Sequence, residues 1–437
     1  MRKKRLLRIV LINLVLLAGL LAAAELILRE TAPPPPPEQP PPLGLRPEAG
    51  DHLYVVDQGR IRTNPKFRPA PNDPDERGFI AVDLPHPKPA DVRRIVMVGS
   101  SPMRGGTQPG QSTADYLQRE LDRLAPAGRY VVIDASLPQG FADNVAWTLD
   151  QIDPLAADLI VLWPAAAPVI YADMEQNLFG DSGVRGRILT LLETTRTYEA
   201  LRDMLHSVAP ERTNPQARPS EKMTEDPGRV DPDLAAFLQR LNHAAASAYA
   251  HFLESSLQTT AKKKLRTVVI IPPTCVACVA PLFSIHDGAL SPADAKKFAA
   301  HLEQGAQLLK TGRPDEAARE LERAKRIDPT YARARWLLGR ALRETGQDEA
   351  ARIELAAAVE HDASIETVKE PPDATTRAIA EKYDTLVFDL ETFVVDNLPD
   401  GIVDARAMID LTHLSLDFQA RFTQALAAQI HEDMSSN

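Results

Sequence analysis

Hydrophobic positions along the chain come in short unbroken runs separated by longer stretches of helical periodicity. Ile95 to Val98, Tyr130 to Ile133, Leu159 to Trp163, Thr267 to Ile271 and Thr385 to Leu390 are apolar over strand length, the pattern of strands buried on both faces of a parallel sheet. Between them Ser112 to Leu124 and Phe141 to Ile152 fit crossover helices, and Phe418 to Leu426 fits a closing amphipathic helix. The alternation predicts an α/β fold with helices on both faces of the sheet. Helices are also expected over Ile188 to His206 and Asp233 to Leu257. They flank a polar interval from Arg212 to Pro227 that reads either as a lid over a site or as a solvated insertion.

A second pattern interrupts the first at a 34-residue offset. Leu302 matches Trp336, Gly305 matches Gly339, Leu308 matches Leu342, Gly312 matches Gly346, Ala317 matches Ala351, Leu321 matches Leu355 and Ala324 matches Ala358. This resembles the tetratricopeptide repeat, in which small residues let paired helices pack closely and a glycine closes the turn between them. The resemblance implies either a protein-binding scaffold or a helical insertion that buttresses the α/β part. Because the fifth strand-like run follows the repeats, they are expected to interrupt the α/β domain.

The start of the chain has another character. Met1-Arg2-Lys3-Lys4-Arg5 precedes an apolar stretch to Leu28, long enough to cross a bilayer core that needs roughly 20 helical residues. The basic cluster is expected to stay cytoplasmic, so the body lies beyond the membrane. A cleaved signal is the alternative, with Ala22-Ala23-Ala24 at the processing site, and it too exports the body. Pro33 to Pro37 and Pro40 to Pro42 then form a semi-rigid spacer. The expected organisation is a basic tail over 1–8, a transmembrane anchor over 9–28, a proline-rich linker over 29–50, an α/β domain over 51–290 and 364–437, and a repeat insertion over 291–363.

The length of 437 residues and a 44% hydrophobic content allow one large core and a smaller second unit. A net charge of −10, with no basic stripe outside the N-terminus, argues against nucleic acid as a partner. Cys275 and Cys278 form a C-x-x-C pair without further ligands at zinc spacing, so a local disulfide or two packed thiols is expected and no metal is proposed.

The candidate chemistry lies in two short segments. Gly99-Ser100-Ser101 follows the first strand-like run, which puts Ser101 at a strand's carboxyl end, where open α/β sheets bind ligands. Asp410-Leu411-Thr412-His413 precedes the closing helix, on a loop or first helical turn. Serine, histidine and an orienting aspartate are the parts of an activated nucleophile. Each also has a plainer role, Ser101 in a turn, Asp410 as a helix cap and His413 in the first turn behind it.

Order and context resemble the SGNH (GDSL-type) hydrolases, in particular membrane-anchored bacterial proteins with a tetratricopeptide insertion. The resemblance covers most of the chain after the linker and implies a three-layer α/β/α, flavodoxin-like domain. It makes Ser101 the nucleophile, His413 the general base and Asp410 its orienting group, with Ser100 where the family has an acidic residue. Gly180-Asp181-Ser182 lacks a preceding strand and is read as a decoy. The implied oxyanion donors are the Ser101 N–H, Gly140, which lies one residue late, and an asparagine whose position holds Ala167. Asn144 and Asn177 are the nearest substitutes, and neither is at a strand end. The implied function is an esterase or acyltransferase on O-acyl groups of an envelope glycan or lipid, on the periplasmic side of the bacterial inner membrane, with no cofactor. A degenerate domain that recruits a protein partner through its repeats is the rival.

Overall fold

The computed structural model describes residues 50–68, 78–105, 110–137, 142–164, 247, 249–281, 283–286, 288, 290–363 and 372–436. All belong to one unit of the chain, Leu43–Asp173 with Pro227–Asn437. The expected anchor, the proline-rich linker, the Arg212 to Pro227 interval and the Ile188 to His206 helix fall outside the described residues. So do Gly140, Ala167, Asn177 and Gly180-Asp181-Ser182. Among the described residues no helix is long and apolar enough to cross a membrane.

The first elements form a small antiparallel sheet. Strands β1 (Tyr54–Asp57) and β2 (Arg60–Thr63) are joined by Gln58 and Gly59, both at positive φ, which suits a two-residue hairpin turn whose twist matches the strands. Strand β3 (Asp83–Pro85) pairs with β2. Leu53, Tyr54 and Ile61 turn inward onto the main domain.

That domain is built on β4 (Arg93–Gly99), the short helix α1 (Ser101–Arg104), α2 (Thr113–Leu124), β5 (Tyr130–Asp134), α3 (Ala142–Gln151), β6 (Leu159–Trp163), a helix α4 over 249–262 and β7 (Arg266–Ile271). The sheet has the order β5-β4-β6-β7-β8, all parallel, with β8 (Leu386–Asp389) reached only after the repeat insertion. Each apolar run predicted as a strand is a strand of this sheet.

Alternate residues of β4 divide two cores, because successive side chains leave opposite faces of a strand. Ile95 and Met97 pack with Leu117 and Leu121 of α2 and with Phe418 and Phe422. Val96 and Val98 pack with Val145 and Leu149 of α3 and with Leu253 and Leu257 of α4. All of these are essentially inaccessible, and each such burial contributes about 1.5–3 kcal/mol. The result is three layers, helix on sheet on helix.

The insertion consists of α5 (Pro292–Lys310), α6 (Pro314–Ile327), α7 (Ala332–Glu344) and α8 (Asp348–His361). The repeated glycines act as the spacing predicts. A Cβ on Gly305 would lie 2.5 Å from Leu321 Cγ, and one on Gly339 would lie 2.7 Å from Leu355 Cγ, so only glycine allows the paired helices this approach. Gly312 and Gly346, at φ +70° and +76°, turn the chain between the helices of each pair.

Helices α9 (Pro372–Lys382), α10 (Leu390–Asp396) and α11 (Leu416–Ser435) complete the domain. Some boundaries differ from expectation, the helix expected to end at Leu257 running on to 262. Strand β8 ends at Asp389 because that side chain accepts the Thr392 N–H at 2.8 Å and starts α10. The closing helix starts earlier than predicted, at Leu416, with Ser415 as its cap.

Candidate active site

Strand β4 ends at Gly99, where there is no room for a side chain. A Cβ there would come within 2.7 Å of Met103 Cβ and 2.9 Å of the Trp163 carbonyl oxygen. The strand then breaks at Ser100, buried and extended, whose carbonyl accepts from Met103 N at 3.0 Å. Ser101 opens α1 at the sheet's carboxyl end, partly exposed. Its N–H, in a first helical turn, has no intrahelical acceptor.

The seat of α1 is a buried polar cluster. Arg104, 2% exposed, donates Nε to Ser136 Oγ at 3.2 Å and Nη2 to the Gly78 carbonyl at 2.9 Å and to the Ser136 carbonyl, and its Nε lies 3.6 Å from Asp134 Oδ2. Ser136 donates its backbone N–H and its hydroxyl to Asp134 Oδ1. Burial pushes the Asp134 carboxyl up against the opposing pull of Arg104 and Ser136. Burial, then the Asp134 charge, pushes the Tyr54 phenol up as well. Sequence reading passed over this cluster, although a strand-end aspartate and an arginine three residues beyond Ser101 were its visible signal.

Asp410 and His413 lie on a tight hairpin. Ser415 N–H bonds the Ala407 carbonyl at 2.7 Å, Ile409 N–H bonds the His413 carbonyl at 2.9 Å, and Met408 pairs with Leu414 between them. Met408 and Leu414 are buried, so Ile409 and His413 share the outer face. Inside the turn Asp410 Oδ1 accepts the N–H groups of Thr412 and His413, both at 2.8 Å. Its Oδ2 lies 2.8 Å from His413 Nδ1. Burial would raise the Asp410 carboxyl, but these bonds, first of all that from His413, outweigh it and hold the group at about 2. An ionised Asp410 only accepts, so the shared proton is on Nδ1, and in that tautomer of the neutral ring the lone pair is on Nε2. The plainer reading of Asp410 as the helix cap is replaced, since Ser415 caps α11.

The structure thus brings Asp410 and His413 together. Among the described residues neither Ser101 Oγ nor His413 Nε2 has a hydrogen-bond partner, so the two are not joined. Their supports do touch. Gln419 of α11 donates to the Gln111 carbonyl at 2.9 Å, and a Cβ on Gly105, the residue that ends α1 at φ +73°, would meet its Nε2 at 2.2 Å. Asn144 is buried on α3, with its carbonyl bonded by Thr148. Cys275 and Cys278 form a disulfide in the loop after β7. Among the described residues no cluster of three or more His, Cys, Asp or Glu is placed to hold a metal ion.

Residues 308–366 match the tetratricopeptide repeat family. No curated protein sequence matches the chain. Among solved structures, the chain is similar to the lipase/acylhydrolase from Enterococcus faecalis, with 9% identity over 78% of this chain and 97% of that one and a TM-score of 0.35. It is similar to the acetyl xylan esterase AlAXEase, with 9% identity, 77% and 98% coverage and a TM-score of 0.34. It is also similar to the extracellular lipase from Streptomyces rimosus, with 10% identity, 77% and 99% coverage and a TM-score of 0.35.

Proposed function

We propose that this chain is a membrane-anchored, exported SGNH-type esterase or acyltransferase that acts on O-acyl esters of an envelope glycan or lipid at the bacterial inner membrane. The observation that carries the reading is the Asp410–His413 pair, with Asp410 Oδ2 2.8 Å from His413 Nδ1, on a hairpin whose following helix abuts the end of the Ser101 helix. In the reaction Ser101 Oγ attacks the acyl carbon while His413 Nε2 takes its proton. The ester C–O bond breaks and the imidazolium returns the proton to the leaving alcohol. Water as the next acceptor gives hydrolysis, and a sugar hydroxyl gives transfer. The Ser101 N–H is the oxyanion donor this reading assigns. In this reading the Ser101 Oγ to His413 Nε2 hydrogen bond forms when substrate binds, as catalytic hydrogen bonds often tighten only in the substrate complex. Ile409, 72% exposed on the same face as His413, offers apolar surface to an acyl group.

The second reading, a degenerate hydrolase domain kept as a scaffold whose repeats bind a protein partner, is favoured by Ala167 at the position of the family's asparagine. Loss of one oxyanion donor slows such chemistry by about 10² to 10³ fold. Fluorophosphonate labelling of the full-length protein separates the two. Labelling that disappears in Ser101→Ala and His413→Ala, both folded by circular dichroism, supports the enzyme. A folded wild-type protein that takes no label overturns it.

A further inference from the structure

Arg333, Trp336, Arg340 and Arg343 follow one another at spacings of three and four along α7, so they share one face of that helix. Trp336 also packs against the repeat core, and Gly339, three residues from Trp336 and four from Arg343, seats Leu355, so this face borders that core. Helix α7 meets two segments of the same chain, through its first turn and through Trp336 and Arg343. Arg333 N–H bonds Ser284 Oγ at 2.9 Å, and Trp336 lines a small cavity with Cys275, Val276 and Pro281. At the far end Arg343 Nη2 donates to Asp400 Oδ2 at 2.7 Å and Asp404 Oδ2 at 2.6 Å. Arg406 closes the group on the same two carboxylates.

The 400–406 segment leads directly into the hairpin of Asp410 and His413, and it is buried in two cores at once. Ile402 is inaccessible inside the repeat core, while Val403, one residue on, lies in the sheet core. The Val403 carbonyl accepts Ala277 N–H, from within the disulfide loop, at 3.1 Å. Asp404 then takes up Ala407 N–H and Met408 N–H, and Ser415 Oγ bonds the Arg406 carbonyl at 3.1 Å. Continuous backbone and side-chain bonding therefore runs from Arg343 to the His413 turn.

We propose that the repeat pair is a clamp on the candidate site, in which Arg343 and the pocket for Ile402 hold the 400–415 segment and so fix where His413 stands. The ligand of this repeat face is the chain's own loop, and Arg343 is a positioning residue. The consequence for chemistry rests on the reading of His413 as the general base, whereas the clamp itself does not.

Hydrogen exchange and fluorophosphonate labelling of the full-length protein test both, with Arg343→Ala, Arg343→Lys and a control, Arg323→Ala, which removes a half-exposed guanidinium paired with Glu320 on α6. In Arg343→Ala, amides of 400–414 exchange at least about tenfold faster while β4 and β6 keep their protection. Labelling of Ser101 slows by about 10 to 100 fold, the cost of an ångström-scale misplacement of a reacting group. Arg343→Lys, which keeps the charge between the two carboxylates, restores much of the rate, and Arg323→Ala leaves both readouts at the wild-type level. Should Arg343→Ala not fold, Ile402→Ala gives the same localised exchange. Unchanged exchange over 400–414, or equal slowing in Arg323→Ala, overturns the clamp. If the wild-type protein takes no label while exchange responds as described, the clamp stands and the enzymatic reading falls.

Discussion

Ser100, which delivers Ser101, is 2% exposed, whereas the Asp410 side chain that holds His413 is 52% exposed. The serine side of the candidate site is thus set by steric closure. Gly99 leaves no space between Met103 and Trp163, and Arg104 ties α1 to the carboxyl end of β5. The histidine side is set by polar contacts within a surface hairpin and by tethers reaching it from the repeat unit. Interior packing permits few alternative positions, while an exposed turn can rearrange at little cost. In the proposed site, Ser101 is the fixed point and His413 the adjustable one.

The largest expected effect sharpens that contrast on the adjustable side. Asp410→Asn keeps an oxygen for the Thr412 and His413 N–H groups, so the turn survives, but an amide no longer fixes the Nδ1–H tautomer. Fluorophosphonate labelling should slow by about 10⁴ fold, as when the aspartate of a triad is replaced by asparagine, with an unchanged circular dichroism spectrum. A slowing of less than about tenfold would mean that the pair does not orient the base.

On the fixed side the next effect concerns stability. Arg104→Ala leaves Asp134, 7% exposed, without the guanidinium 3.6 Å away. Breaking a buried pair from one side costs about 3–5 kcal/mol, the lower end being expected because the Asp134 carboxyl is already pushed towards its neutral form. Urea unfolding of the variant should show this loss, and a change under about 1 kcal/mol would mean that α1 rests on packing alone.

The same division decided what was legible in the sequence. All five parallel strands could be read because strands buried on both faces are written as apolar runs, and the repeats because their glycines and alanines recur. The small β1-β2-β3 sheet was missed, since Arg60-Ile61-Arg62-Thr63 has one apolar residue and Val55 and Val56 face solvent. Ser101 and the Asp410–His413 pair were found as residue types in a context. That Ser101 Oγ and His413 Nε2 are not hydrogen-bonded was not, because the meeting of two segments some three hundred residues apart has no local pattern. The Arg104–Asp134–Ser136 cluster was hidden for the same reason, its members being drawn from the carboxyl end of β5 and from α1.

The smallest expected effect tests whether Asp410 contributes stability as well as orientation. Its carboxyl stands near 2 in the folded chain against 3.8 when unperturbed. A group with a lowered folded pKa contributes stability that is fully present above about pH 4 and is lost as the pH falls towards 2, because the unfolded chain then binds the proton first. With half the side chain in solvent, screening limits the contribution to about 1 kcal/mol or less. Thermal melts of the wild-type protein and Asp410→Asn should therefore differ by a few degrees at most at pH 6, with a gap that closes between pH 4 and pH 2. A gap independent of pH would assign the difference to the geometry of the turn. A gap well above that limit would mean that the hairpin is as firmly seated as the serine, and the contrast between the two halves of the site would not hold.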